Sequence, residues 1–347
     1  MHKIIKTNII IRCQNISLFA GFLSFYLIKV YNSRMLTFTH QTMTQITKVL
    51  QNYINTMQGK EIISFQILNP DIATSLYNGT RITCNGQEYI YRGYKSWIDL
   101  AHLLKCRMLT PKIADEHTVI MRYEKLDEDS TFHKNITDKE EKYGENSIFG
   151  KIHKNEEASF IYSYTQALKN VHLNKRKRIL NLGVNSGDEF EVIASLADNF
   201  AELDLVGIDY CESAVDAAKK KFKDFANISL HVADINSLNA LDLGKFDLII
   251  SIGTLQSSNL EFNKTLMSIV QNHLKKEGAM ILGFPNCRWI DGEMIYGARV
   301  KNYAFSEMGL LYKDVIFAKK YLQQKKFRVT VTGKDYIFVT ATSIRKD

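Results

Sequence analysis

The stretch Arg178 to Phe190, RILNLGVNSGDEF, constrains the fold of this chain more than any other. A short apolar run enters a glycine-bounded turn, and a helical pattern starts at once. Such a run reads as a strand buried on both faces, which belongs to a parallel sheet covered by helices. Gly183 and Gly187 let the backbone bend tightly and approach a ligand closely. The first amides of the following helix then face whatever binds there.

The surrounding sequence repeats this alternation. A helix from Ala158 carries Phe160, Ile161, Tyr164, Ala167, Leu168 and Val171 on one face. Apolar runs at 178–182, 203–208, 228–232, 246–252 and 279–284 alternate with helical patterns near 188–199, 212–224 and 261–275. That order predicts an α/β domain with a parallel sheet. The chain closes with a helix near 310–325, a strand from Phe327, the turn Gly333-Lys334, and a strand from Tyr336. This is a hairpin, so the last strand runs antiparallel to its neighbour.

The strand ends carry the candidate chemistry. The second strand ends in Asp209-Tyr210, and a carboxylate there can accept both hydroxyl hydrogens of a ribose. Asp234-Ile235 closes the third; the acid suits an adenine amino group and Ile235 a ring face. The fourth ends in Ser251-Ile-Gly253-Thr-Leu-Gln256. All lie at one edge of the sheet, where ligands bind in such folds. Each has a bland alternative: glycines that only turn the chain, Asp209 as a helix cap, Asp234 as a turn residue.

Taken together, 158–347 resembles the class I S-adenosylmethionine-dependent methyltransferases. The resemblance implies a Rossmann-like seven-stranded sheet with an antiparallel last strand, and S-adenosylmethionine as cofactor. Gly183 and Gly187 would cradle its methionine part, Asp209 its ribose, and Asp234 with Ile235 its adenine. Asn181, Asn185, Tyr210, Ser251 and Gly253 complete the expected cofactor set. Asn181 stands where many members carry an acid, and Asn185 where many carry a glycine. Asparagine tolerates left-handed backbone, so the loop can form; cofactor affinity is what the changes bear on.

The implied activity is methyl transfer. It needs an aligned acceptor more than a fixed catalytic residue, so none is assigned. Base N-methylating members carry N/D-P-P-Y/F after the fourth strand; Ser251 to Gln256 resembles the small-molecule group instead. A small-molecule acceptor is therefore expected. RNA or protein methylation, and a non-catalytic nucleotide-binding module of this fold, are the alternatives. An NAD(P) oxidoreductase would prefer G-x-G-x-x-G, which is missing. The acceptor candidates are Gln256 and, within 286–308, Arg288, Trp289, Tyr296 and Tyr303, a mix suited to a pocket wall or to a surface insertion. Glu156, Glu157 and Tyr162 precede the first strand and are placed to close over the cofactor. His231 is expected to be packed within its strand.

Residues 35–126 read as a small α+β domain for substrate recognition or dimerisation. An amphipathic helix spans 40–58 and a strand 61–68. Asn85-Gly86 marks a hairpin, a helix starts near Ser96, Pro111 breaks the chain, and a strand follows at 118–123. Tyr89, Tyr91, Arg92, Tyr94, Lys95 and Trp97 suit single-stranded nucleic acid or, as favoured here, an ordinary hairpin with aromatic pairs. Residues 127–157, polar and without period, form a linker or a lid.

Hydrophobic residues make up 45% and charged residues 24% of the 347, with a net charge of +8 spread along the chain. Five cysteines without a C-x-x-C pair give neither a disulfide framework nor a zinc site. A reducing, cytoplasmic location follows. The apolar run Ile16–Ile28 is shorter than the ~20 residues that span a bilayer, so no stable membrane insertion is expected. Residues 1–34 form an apolar extension, with Met35 as the expected native start.

Overall fold

The computed structural model describes residues 35–131, 141–257, 259–297 and 308–345. The expectations for 1–34 and for Tyr303 lie outside them. The chain divides into two compact units, Met1–Ser130 and Thr131–Asp347.

The first unit holds β1 (Leu36–Thr37), α1 (Met43–Thr56), β2 (Ile62–Leu68), β3 (Arg81–Cys84), β4 (Gln87–Ile90), α2 (Tyr94–Leu103), β5 (Cys106–Ile113) and β6 (Thr118–Lys125). Thr42 and Gln45 close a reciprocal capping box at the start of α1. Its apolar stripe, Ile46, Leu50 and Ile54, joins Trp97 and Leu100 of α2 over the sheet residues Phe65, Met121 and Tyr123. The sheet order is β1-β2-β6-β5. Pro111 does not break the chain: it lies inside β5, at an irregularity between Leu109 and Lys112. An edge strand and a bulge are where a residue without an N–H is tolerated. Asn85 and Gly86 both take positive φ, 50° and 75°, in the β3–β4 turn. Tyr91, Arg92 and Trp97 are buried, and Arg92 Nη2 donates to the Gln41 carbonyl at 2.6 Å. That burial packs three of the six residues of the aromatic and basic run into the unit.

The second unit holds α3 (Ala158–Asn170), β7 (Arg178–Leu182), α4 (Asp188–Leu196), β8 (Asp204–Asp209), α5 (Glu212–Lys221), β9 (Ile228–Val232), β10 (Phe246–Ile252), α6 (Phe262–Asn272) and β11 (Leu274–Pro285). It ends with β12 (Cys287–Ile290), β13 (Glu293–Tyr296), α7 (Met308–Gln324), β14 (Phe327–Gly333) and β15 (Tyr336–Ser343). The seven-stranded sheet runs β14-β15-β11-β10-β7-β8-β9, and β15 is antiparallel to both its neighbours. Period-two alternation sends the side chains of β7 and β10 to two cores. Ile179, Leu248 and Ile250 meet α3 and α4, while Leu180, Leu182 and Ile249 meet α6 and α7.

One local reading is corrected. His231 is exposed, because β9 is an edge strand covered less than its neighbours. Residues 287–296 form a hairpin whose turn, Asp291-Gly292, has φ of 53° and 79°. Among the described residues no helix is long and apolar enough to cross a membrane.

Candidate functional site

The turn after β7 is fixed by its own backbone. The Gly183 and Val184 amides both donate to the Ile208 carbonyl, at 2.8 and 3.0 Å, and Gly187 N–H donates to the Val184 carbonyl at 2.8 Å. Gly183, Asn185 and Gly187 have φ of 78°, 46° and 89°. A Cβ on Gly183 would overlap Thr254, so the ends of β7 and β10 approach only because the side chain is missing. Asn185 takes the left-handed conformation without being glycine, and its amide oxygen accepts the Ser186 N–H at 2.8 Å.

Asp209, at the end of β8, is 7% exposed. One carboxylate oxygen accepts from Asn185 N–H at 2.9 Å and the other from Cys211 N–H at 3.0 Å. Burial raises its pKa above the ordinary aspartate value, against the lowering effect of those amides. The Tyr210 amide also bonds to this carboxylate, and the lone-pair capacity that its oxygens retain is open to a hydroxyl donor.

The polar segment ahead of α3 is bonded to this turn. It forms short 3-10 turns at Glu141–Tyr143, Phe149–Lys151 and Lys154–Glu156. Asn185 Nδ2 donates to the Tyr143 carbonyl at 2.8 Å, and the Tyr143 ring lies edge-on to Tyr210 with centroids 6.5 Å apart. Ser213 donates to Glu141 at 2.6 Å. Asn155 donates to the Asp188 carbonyl at 2.9 Å, and Lys154 to Glu189 at 2.7 Å. Glu156 and Tyr162, which the sequence pointed to, are exposed; Lys154 and Asn155 make the bonds instead. Lys154 sits in a stretch without period and gave no signal. Glu189 follows the glycine turn and has no assigned role in the sequence reading.

Three further cofactor candidates are less enclosed. Asp234 is exposed and caps the 3-10 helix Ile235–Leu241, accepting from Asn236 N–H at 2.9 Å. Ile235 is half-buried against the α6–α7 core, and Tyr210 is 39% exposed. Gly253, with φ of 75°, donates its N–H to the Gly283 carbonyl at 2.8 Å. Ser251 is buried and its hydroxyl lacks a partner. The same holds for the Asn181 amide oxygen, on a residue 0% exposed. Orphaned buried acceptors are uncommon, and two of them beside the glycine turn fit a polar ligand there.

Of the acceptor candidates, Gln256 and Tyr296 are exposed. Arg288 Nη1 donates to the Tyr296 and Gly297 carbonyls at 3.4 and 3.1 Å, and so fastens the β12–β13 hairpin. Trp289 is hydrogen-bonded to half-buried Tyr336. Burial pushes the neighbouring Cys287 thiol up to about 12, so it stays protonated at neutral pH. Among the described residues no His, Cys, Asp and Glu group is arranged to hold a metal.

Residues 173–330 match the family model described as a methyltransferase domain. Carboxy-S-adenosyl-L-methionine synthase of Helicobacter pylori (strain HPAG1) is 27% identical over 157 residues, 44% of this chain. The chain spans 63% of the length of that relative. An S-adenosylmethionine-dependent methyltransferase of Aquifex aeolicus is similar at 15% identity and TM-score 0.39, over 55% of this chain and 95% of that one. A ribosomal protein L11 methylase of Lactobacillus delbrueckii subsp. bulgaricus is similar at 14% identity and TM-score 0.37, over 55% and 81%. With the family match lying on the glycine turn and the strand-end acids, and the reversed β15 following it, the C-terminal half of this chain is a class I S-adenosylmethionine-dependent methyltransferase domain.

Proposed function

We propose that this chain transfers the methyl group of S-adenosylmethionine to a small-molecule acceptor held over the ends of β10 and β11. One observation carries the reading: buried Asp209 is oriented by two backbone amides beside the turn that Gly183 and Gly187 shape. Asp209 accepts the ribose hydroxyls, Asp234 and Ile235 meet the adenine, and the 183–187 turn with Asn181 receives the methionine end. Tyr210, Ser251 and Gly253 complete that wall.

Bound there, the cofactor supplies a methyl carbon already activated by its sulfonium. The residues of the chain contribute alignment and exclusion of water. A general base is required only for an acceptor protonated at working pH, and no residue is assigned to that task. Gln256 and Tyr296 are the acceptor-side groups with exposed side chains, while Arg288 and Trp289 shape the hairpin that carries Tyr296. The segment after β10, Ser251 to Gln256, lacks the N/D-P-P-Y/F run of base methylation, which favours a small acceptor. So does the relative whose name gives a carboxylated S-adenosylmethionine, itself a small molecule, as its product.

The test is incubation of the full chain with methyl-labelled S-adenosylmethionine and cell extract separated into small metabolites, RNA and protein. Label in the small-metabolite fraction is expected. Label in RNA or protein instead would contradict the acceptor class. Cofactor binding without label anywhere would favour a non-catalytic module.

A further inference from the structure

Part of the net positive charge, spread along the sequence, is gathered in space at one end of the seven-stranded sheet. Exposed cations stand there in a row, one per strand. Lys326 precedes β14, Arg345 follows β15, Lys276 is the third residue of β11, and Lys245 and Lys177 precede β10 and β7. Those strands are neighbours in that order, so the row spans about 19 Å at a strand spacing of about 4.8 Å. It lies where β7 and β10 begin, one strand length, roughly 20 Å, from the cofactor turn at their far ends.

Two of these cations have a structural task. Helices end at this face, and their last carbonyls need donors. Lys245 Nζ donates to the Gln271 carbonyl of α6 at 3.1 Å, and Arg345 Nη2 to the Lys325 carbonyl, just past α7, at 2.9 Å. Carbonyls hold these side chains in place and leave their charge uncancelled. Lys177, Lys276 and Lys326 are exposed and make no side-chain bond among the described residues, so the helix ends do not account for them. Asp204 and Asp247, at the same strand ends, are taken by Arg178 at 2.6 Å and by Lys275 at 3.0 Å. Exposed Asp242 and Glu277 offset only part of the excess.

We propose that this row docks a single-stranded nucleic acid by its phosphodiester backbone. Like charges kept in line repel one another and gain from an anion that bridges them. A strand with one charge per nucleotide meets several of them at once and releases its counterions, whereas a lone phosphate or carboxylate meets one or two. A lipid surface would draw on apolar insertion as well; Ile344, exposed beside Arg345, is too small a patch for that. Contacts to phosphates carry no sequence information, so the docking is indifferent to base. The inference goes beyond the methyl-transfer reading and does not depend on it. A strand held at this end lies away from the cofactor turn, so the chain grips it without presenting it to the methyl group.

The test is fluorescence anisotropy of a labelled oligouridine of about 20 nucleotides with the full chain, at about 50 mM and about 200 mM KCl. The wild type is expected to bind with a Kd of about 1–100 μM at the lower salt and about ten- to a hundredfold more weakly at the higher. The triple variant Lys177→Glu, Lys276→Glu, Lys326→Glu should bind at least about tenfold more weakly while keeping its urea midpoint. Glutamine at the same three positions is the milder change and should lessen the salt slope by about two. Lys219→Glu, Lys220→Glu, Lys223→Glu, at α5, changes the net charge equally and should cost less than about threefold. Equal losses in the two glutamate variants would reduce the effect to overall charge and overturn the proposal. No binding by the wild type at the lower salt, or an unchanged slope in the glutamine variant, would overturn it too. Phosphatidylserine vesicles that bind the wild type more tightly than the oligouridine does would give the face to lipid and overturn it as well.

Discussion

Two stretches of one sheet edge are built in different ways. Over β7 and β8 the site is held by main chain: the Ile208 carbonyl takes two amides, Asp209 takes two more, and three residues of one turn have positive φ. Over β10 and β11 the chain runs into an exposed turn at Gln256 and then into the β12–β13 hairpin, fastened by the Arg288 side chain. Main-chain geometry fixes a site to within a fraction of an ångström and tolerates little variation. A side-chain-fastened hairpin can change its outward groups without disturbing the sheet. This division suits an enzyme with one constant ligand and one variable one.

The division can be broken most directly at its glycines. Gly183→Ala places a Cβ against Thr254 at positive φ and should cost about 2–5 kcal/mol of stability. Gly253→Ala also has positive φ, but its Cβ would meet Pro285 at 3.2 Å, and the cost should be about 1–2 kcal/mol. Urea denaturation of the two variants compares them, and equal costs would erase the contrast.

A smaller effect is expected at Asn185. Replacement by glycine relieves the left-handed backbone and removes the bond to the Tyr143 carbonyl, two effects of about 1 kcal/mol and opposite sign. Global stability should change by less than about 1 kcal/mol. Amide exchange across 141–157 should nevertheless accelerate, and unchanged exchange would show that Asn185 does not fasten that segment. On the acceptor side, Tyr296→Ala should leave the Kd for S-adenosylhomocysteine within about twofold while raising the acceptor KM. A matching loss of cofactor affinity would mean that the two stretches are not separate.

The smallest effect is a pH slope. Burial lifts the folded-state pKa of Asp209 above its unfolded value. Its contribution to stability is therefore present below the unfolded value and is lost as pH rises through the folded one. The denaturation midpoint of ligand-free protein should fall over that window, and Asp209→Asn should flatten the fall. A steeper or unchanged slope in Asp209→Asn would assign the effect elsewhere.

Legibility in the sequence follows the same division. β7, β8, β10 and β11 stand out as apolar runs because helices cover both faces, and the glycine turn stands out because its backbone needs those residues. β5 was hidden by Pro111, which is admitted only because β5 is an edge strand with an irregular register. His231 was misplaced for a related reason: edge position is a tertiary fact that local sequence does not carry. The β12–β13 hairpin does carry a local signal, since Asp291-Gly292 is the same kind of turn pair as Asn85-Gly86. Lys154 could not have been found, since only the folded chain brings it to Glu189.

The central claim is that the turn after β7 and the carboxylate ending β8 form one cofactor site. Calorimetric titration of S-adenosylhomocysteine into the full chain and into its Asp209→Ala variant tests it most directly. Micromolar affinity in the wild type, lost in a variant that keeps its cooperative unfolding, is the predicted result. Absence of binding by folded wild type, or equal affinity in the two proteins, would contradict it.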